Sequence, residues 1–169
     1  MPSGSNVGIG RRLILFGLVC LVVGVGCSQH SADDLFTKGE HATHDVKTYD
    51  EAIEHLSTFL KEFPEDPRAD VALQALARVY QAQSKSGIAI KTYEELINRF
   101  PNSRYADQAQ FMIGYIYDLS GTKKAAVQAY KKVIQKFPDS GLADDAQVSI
   151  QNIDKPLESW IGSEGESKQ

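Results

Sequence analysis

The chain has 169 residues, of which 42% are hydrophobic, and it carries a formal net charge of −4. This length fits one ordinary domain with enough apolar side chains to form a core. Because the chain is acidic and has no basic run, we do not expect a nucleic-acid partner.

The N-terminal segment has the pattern of a secretory signal peptide, which we place at residues 1–26. Arg11 and Arg12 supply positive charge, and the chain is then apolar or glycine through Val25. This run is too short for a transmembrane helix, which needs about 20 residues. Small residues lead up to Cys27, and this ending resembles the lipobox of bacterial lipoproteins.

The lipobox resemblance implies that Cys27 becomes the acylated first residue of the mature protein, with residues 27–32 as a lipidated tether. Acyl chains such as palmitate gain about 0.8 kcal/mol per buried methylene, so two or more chains together anchor a protein stably. Ser28 rather than aspartate follows the cysteine, which among lipoproteins implies the outer membrane. The alternative is an ordinary cleaved signal followed by an unmodified cysteine.

Cysteine chemistry is excluded for a mature chain of this kind. Cys20 leaves with the signal and Cys27 is acylated, so no free thiol remains for a disulfide, a thiolate nucleophile or a zinc site. Cleavage also removes two basic residues and no acidic ones, which leaves 16 basic against 22 acidic residues and a net charge of −6.

An internal repeat of 37 residues organises the rest of the chain. Residues that commonly cap helices recur at this step, at Asp66, Ser103 and Ser140. Repetition at this period indicates an array of stacked supersecondary units. Phe-Pro stands at 63–64, 100–101 and 137–138, and Ala-Asp stands at 69–70, 106–107 and 143–144.

A helix is predicted before each Phe-Pro, because apolar residues recur there at helical spacing. In the first repeat it should begin at a capping box formed by Thr48 and Glu51. Each helix should end at its phenylalanine, because the residue before proline disfavours the α conformation. The eighteen apolar positions are Ala52, Ile53, Leu56, Phe59, Leu60, Phe63, Ala89, Ile90, Tyr93, Leu96, Ile97, Phe100, Ala126, Val127, Tyr130, Val133, Ile134 and Phe137.

A second helix is predicted after each Phe-Pro loop, from Pro67 and from Arg104, with Asp66 and Ser103 as the N-caps. Gly114 lies inside the second of these helices, where glycine costs about 1 kcal/mol relative to alanine. The close approach of a neighbouring helix would explain a glycine at this position.

These elements resemble the tetratricopeptide repeat (TPR) family over residues 33–153. The resemblance implies an all-α fold, a right-handed helical solenoid of about three repeats, closed by a capping helix over residues 143–153. The residues on signature positions are Leu73, Leu76, Ala77, Tyr80, Ala89, Tyr93, Leu96, Pro101, Ile113, Gly114, Tyr117, Ala126, Tyr130, Val133 and Pro138.

The two ends of the array depart from the signature. The first repeat is degenerate, with Gly39 and Glu40 where a large and a small apolar residue belong. Residues 154–169 are polar and are predicted to be a disordered tail. Trp160 belongs to a small apolar island in that tail, which we expect to pack on the last helix; contact with a partner is the alternative.

The TPR resemblance also implies a binding groove, lined by the first helix of each repeat. We hypothesise that Arg78, Phe111 and Tyr115 contact the partner, because rigid aromatic rings beside an arginine are typical of binding hot spots. The alternative is that the last helix and the tail cover the two rings. The mapped groove positions are His41, His44, Gln74, Arg78, Gln81, Phe111, Tyr115 and Asp118.

No chemistry-bearing motif accompanies the repeats. His41, His44 and Asp45 stand at helical spacing but lack a further ligand, so they do not predict a metal site. The sequence has no nucleophile elbow, phosphate loop or zinc-binding helix motif. We therefore expect no enzyme, no cofactor and no small-molecule substrate.

The repeats resemble those of two envelope protein families. The TPR lipoprotein of the β-barrel assembly machinery is similar in its signal peptide, its short tether and its Phe-Pro-x-Ser motif, but has more repeats. The Tol-Pal-associated TPR protein is similar in its repeats, but carries a coiled coil absent here. The resemblance implies a scaffold lipid-anchored at the periplasmic face of the outer membrane, which binds membrane-proximal periplasmic or outer-membrane proteins during outer-membrane assembly. The alternatives are a regulator of cell-wall synthesis or division, and a self-associating structural module.

Overall fold

The computed structural model describes residues 31–155. Within this range the chain forms seven α-helices, each packed against the next, and no β-strand. The predicted signal peptide, Cys27 and the island around Trp160 lie outside the described residues. The helices are α1 (Ala32–Ala42), α2 (Tyr49–Glu62), α3 (Ala69–Ala82), α4 (Ser86–Arg99), α5 (Ala106–Leu119), α6 (Lys123–Lys136) and α7 (Gly141–Asn152), with a short 3-10 turn over Val46–Thr48 before α2.

The architecture is the predicted all-α TPR solenoid: three helix pairs followed by the single helix α7. All eighteen apolar positions of the sequence pattern are buried or half-buried. Tyr93 and Tyr130 are the largest of the fully buried side chains and occupy the same place in successive repeats. Within residues 31–155, every helix falls short of the length and apolarity that a bilayer crossing requires.

The Phe-Pro pairs end α2, α4 and α6 in the same backbone conformation. The φ and ψ angles are −128° and 57° at Phe63, −128° and 62° at Phe100, and −131° and 54° at Phe137. Each phenylalanine N–H still donates to the carbonyl four residues earlier. The proline that follows has no N–H, so the helical ladder stops there.

The predicted helix starts were wrong at two of the three loops. α3 and α5 begin at Ala69 and Ala106, and not at Pro67 and Arg104. The side chains of Asp66 and Ser103 instead accept hydrogen bonds from N–H groups two residues on, within the turn that precedes each helix. Of the three residues that recur in these loops, only Ser140 caps its helix directly, accepting from the N–H of Leu142 at 3.2 Å.

The loop serines also join neighbouring repeats, which explains why they recur. The Ser103 hydroxyl donates to Asp70 Oδ2 at 2.6 Å, and Ser140 donates to Asp107 Oδ2 at 2.6 Å. These aspartates belong to the repeated Ala-Asp pairs at the start of the preceding repeat's first helix. We call each of these contacts a Ser–Asp latch. The recurring polar residues therefore hold the stack together.

The first junction uses an ion pair in place of the latch, because Asp66 stands where serine stands in the later repeats. Arg68 donates to Asp33 Oδ1 at 2.7 Å and to Asp66 Oδ2 at 2.8 Å, and so bridges two carboxylates that would repel each other. Hydrogen bonds from Arg68 hold the pKa of Asp66 below its ordinary value. Ala32-Asp33 thus belongs to the Ala-Asp series, a fourth copy that the sequence reading missed.

The predicted capping box at the start of α2 is absent, although Thr48 is the residue before that helix. The Thr48 hydroxyl donates to the carbonyls of Ala42 at 2.8 Å and of Asp45 at 2.9 Å. It therefore closes the connection between α1 and α2, and is not available to the N-terminus of α2.

Two glycines are required by close packing between paired helices. A Cβ at Gly114 would lie 2.6 Å from Tyr130 Cδ1, which confirms that a neighbouring helix approaches closely there. A Cβ at Gly39 would lie 2.7 Å from Leu56 Cγ. Gly39 is therefore not a defect of the degenerate first repeat, since it allows α1 to reach α2.

Candidate peptide-binding groove

The structure brings three of the predicted groove residues together between α3 and α5. Gln74, Arg78 and Gln81 lie on one face of α3, and they line a cavity of about 360 Å³. Tyr93 forms part of this cavity, and Gln108 and Met112 of α5 line it with Ala82. Sequence mapping missed Gln108 and Met112, because the equivalent places in the preceding repeat hold Val71 and Ala75.

Arg78 connects this cavity with a second one on the α1 side. The second cavity is about 150 Å³ and is lined by Thr43, His44, Tyr49, Ala75, Arg78, Val79 and Ala82. Arg78 is exposed, and it forms no salt bridge with any residue of the described range. The central groove, as we call the two cavities together, therefore runs past an uncompensated guanidinium group.

The floor of the central groove carries hydrogen-bonding groups with unused capacity. Gln74 is 6% exposed, and its Nε2 donates to Gln108 Oε1 at 2.9 Å. Its own Oε1 is buried without a hydrogen-bond partner among residues 31–155. Buried polar atoms are satisfied in the large majority of cases. An unsatisfied acceptor beside a cavity is therefore a feature that a ligand N–H could complete.

Buried Tyr93 forms a hydrogen bond with Gln81. The Tyr93 hydroxyl donates to Gln81 Oε1 at 3.3 Å, which leaves Gln81 Nε2 as a donor. Burial raises the pKa of Tyr93 to about 12, while the positive charge of Arg78 opposes this shift. The phenol therefore stays protonated at neutral pH and fixes Gln81 beside Arg78.

The two predicted aromatic contacts have different environments. Phe111 is half-buried, and its ring centroid lies 5.2 Å from that of Tyr130, within the cluster that joins α5 to α6 and α7. Tyr115 is 40% exposed, and Leu119 one turn later is 67% exposed. Tyr115 and Leu119, which we call the apolar patch, are thus the exposed large apolar side chains of α5, while Phe111 also belongs to the core.

The remaining mapped positions are dispersed, and Asp118 lines neither cavity of the central groove. Asp118 is half-buried, and burial raises its pKa, while the charge of Lys123 opposes the shift. His44 lines the cavity beside Arg78, but His41 faces a separate cavity of about 510 Å³ with Glu51 and His55. The two imidazole rings are 6.5 Å apart, and the described residues contain no cluster of three His, Cys, Asp or Glu side chains placed to hold a metal.

The outer helix α6 carries a basic surface away from the central groove. Its fourteen residues include five lysines and no acidic residue. Lys123 pairs with Asp154 at 3.0 Å, whereas Lys131 and Lys132 are exposed without a salt bridge inside the described range. Any test of charge recognition at Arg78 must therefore control for attraction to α6.

Comparisons with known families agree with this architecture. Residues 108–140 match the family described as tetratricopeptide repeat, and residues 42–122 match the family described as outer membrane lipoprotein. Comparison with curated proteins gave no match. The repeat match and the helix pairs give the described residues a TPR-like architecture, and the two matched families are protein-interaction scaffolds.

The more particular resemblance is to the outer membrane lipoprotein family, whose match runs from the last residue of α1 through α5. With its repeat match and this second match, the chain resembles the TPR lipoprotein of the β-barrel assembly machinery. This resemblance supports a location in the bacterial envelope and protein partners there.

Proposed function

We propose that the protein is a lipid-anchored adaptor that holds envelope proteins in its groove during outer-membrane protein assembly. The observation that carries this proposal is the uncompensated Arg78 in the central groove, with exposed Tyr115 of the apolar patch at the equivalent position of the next repeat's first helix, in a chain that resembles outer membrane lipoproteins. A guanidinium group and an aromatic ring supply polar and apolar anchors for a peptide. The proposed contact residues are Gln74, Arg78, Gln81, Phe111, Tyr115 and Asp118.

The anchor follows from Cys27 at the end of the signal-like segment. Acylation there places the scaffold at the periplasmic face of the outer membrane, and residues 27–32 span no more than about 3.6 Å each. The groove then stays close to the membrane, where membrane-proximal periplasmic and outer-membrane proteins are within reach. Replacing Cys27 by alanine should release the protein from the membrane fraction, and an unchanged distribution would contradict lipid anchoring.

Cross-linking in intact cells, followed by identification of the trapped proteins, tests the adaptor function. Components of barrel assembly are expected; cell-wall synthases would instead support a regulator of wall synthesis or division, and self-adducts alone would support a structural module. The patch variant is Tyr115→Ala with Leu119→Ala, because both side chains are exposed and their loss leaves the core intact. It should abolish capture at unchanged helix content.

Two other exposed apolar side chains provide the matched control. Val46 is 74% exposed and lies in the 3-10 turn, and Ile88 is 47% exposed and lies on α4, so neither is on the first helices α3 and α5 that carry Arg78 and the apolar patch. Val46→Ala with Ile88→Ala should leave capture unchanged. Equal losses in the two double variants would contradict a function located in the groove.

A further inference from the structure

We propose that the central groove recognises an acidic side chain within an extended peptide, with a bulky apolar residue of the same peptide on the apolar patch. This inference rests on the proposed function and names the chemistry of its partner. Arg78 provides the charge, and Gln81 Nε2 provides a second donor beside it. Hydrogen bonds between ionised groups are about twice as strong as neutral ones, so a carboxylate is the favoured occupant.

The unsatisfied acceptor of Gln74 indicates how the peptide backbone is held. Its Oε1 is buried without a partner in the described residues, one helical turn from Arg78 on the same helix. A peptide N–H supplies the missing donor, and Gln108, hydrogen-bonded to Gln74, extends the amide surface onto α5. The groove thus offers hydrogen bonds to the main chain and one ion pair to a side chain.

Because the central groove continues in two directions past Arg78, we expect it to bind an acidic residue inside the partner peptide and not the peptide's C-terminal carboxylate. Arg78 and Ala82 line both cavities, so the groove is open toward α1 and toward α5. A C-terminal carboxylate would leave one of the two directions empty. A passing chain fills both, and its acidic side chain turns toward Arg78.

The spacing between the two recognition elements follows from the repeat. Arg78 and Tyr115 are 37 residues apart and occupy equivalent positions of α3 and α5. First helices of successive repeats lie on the order of 10 Å apart. An extended chain advances about 3.3 Å per residue, so the apolar side chain should lie about three residues from the acidic one.

A peptide array tests this recognition on the folded chain with Cys27 replaced by serine, so that it is soluble. The probes are blocked peptides of roughly nine residues, or about 30 Å when extended. Each peptide carries one Phe and one Glu in a Gly-Ser background, and the set covers every separation of the two. Matched peptides replace Glu by Gln, and a further group lacks Glu and ends in a free C-terminus. Fluorescence anisotropy then gives dissociation constants for the peptides that bind.

The expected result is a Glu peptide that binds about tenfold more tightly than its Gln partner, at a fixed separation from Phe. Arg78→Gln should abolish that preference, and Tyr115→Ala should abolish the dependence on Phe. Gln74→Leu keeps the side-chain volume but removes the amide, so it should weaken Glu and Gln peptides equally. Arg104→Gln removes an exposed charge outside the groove and should change nothing.

Four results would overturn the inference. They are a Glu preference that survives in Arg78→Gln, a preference lost in Lys131→Gln with Lys132→Gln, equal binding of a free C-terminus without Glu, and no binding by any probe. The test is separable from that of the proposed function. Envelope capture without a Glu preference would refute only the recognition chemistry, whereas a Glu preference without capture would refute only the adaptor function.

Discussion

Gly114→Ala should destabilise the protein although alanine is the better helix former. The new Cβ would lie 2.6 Å from Tyr130 Cδ1 and 2.7 Å from Cε1. Tyr130 is 1% exposed and its ring packs on Phe111, so the ring has little room to move. Overpacking of this kind costs about 1–3 kcal/mol, and the helix propensity returns up to about 1 kcal/mol. We therefore expect a net loss of up to about 2 kcal/mol.

Gly87→Ala is the matched control, because the same change meets no steric obstacle there. A Cβ at Gly87 has no neighbour within 4 Å among the described residues, and the residue lies in the first turn of α4. This variant should gain about 0.5 kcal/mol from helix propensity. Thermal unfolding followed by circular dichroism should thus shift in opposite directions for the two variants, by roughly 4 °C per kcal/mol for a domain of this size.

Phe111 provides a second test of the same reasoning. The equivalent residue in the preceding repeat is Gln74, where Ala77 is accommodated beside Tyr93. If Phe111 holds Tyr130 against Gly114, then Gly114→Ala should cost less in a Phe111→Ala background. A double-mutant cycle should show coupling of at least about 0.5 kcal/mol. Additive effects, or a stabilising Gly114→Ala, would refute this account of the packing.

Three further predictions concern a turn, the Ser–Asp latches and a buried charge. Ser84 has a φ of 59°, and Gly121 at the equivalent position of the next repeat has a φ of 72°. In urea titrations, Ser84→Gly should stabilise the protein and Gly121→Ala should destabilise it, each by about 1 kcal/mol. Changes of the same sign in the free energy of unfolding would be inconsistent with backbone strain. Asp107→Ala should cost about 1 kcal/mol, and Ser140→Ala should cost more because it also removes the cap of α7. The double variant should cost little more than Ser140→Ala alone, and additivity would argue against the latch. Burial raises the pKa of Asp118, so its ionised form reduces the stability of the folded state at neutral pH. Asp118→Asn should therefore be more stable than wild type near pH 7, and this difference should vanish as the pH falls through the raised pKa. A difference that persists at low pH would exclude ionisation as its cause.

The fold could be predicted from the sequence because its determinants are local. The period of the apolar residues and the Phe-Pro pairs act within one helix, and the eighteen core positions followed from them. The starts of α3 and α5 could not be predicted in this way, because Asp66 and Ser103 take part in contacts between neighbouring repeats and do not cap these helices. A cap and an inter-repeat latch have the same residue types, so only tertiary contacts distinguish them. Ala32-Asp33 was the available signal that the Ala-Asp series begins one repeat earlier.

The candidate site was predictable on α3 and less so on α5. Gln74, Arg78 and Gln81 were placed by the repeat register, and the structure brings them together. On α5, the same register selected Phe111 but not Met112 or Gln108. Phe111 stands in an all-apolar stretch, so composition alone could not tell which side α6 and α7 would cover. The contact of these residues with a partner stays a prediction.

A photo-crosslinking amino acid placed at Tyr115 in the lipidated protein, in living cells, tests the central claim most directly. Ile88 is the matched position, since it is 47% exposed against 40% for Tyr115 but lies on α4 and not on the first helices that carry Arg78 and Tyr115. The groove hypothesis predicts discrete adducts with envelope proteins from position 115, lost on Arg78→Gln, and none of the same adducts from position 88. Identical adducts from both positions, or none from position 115, would contradict a partner-binding groove.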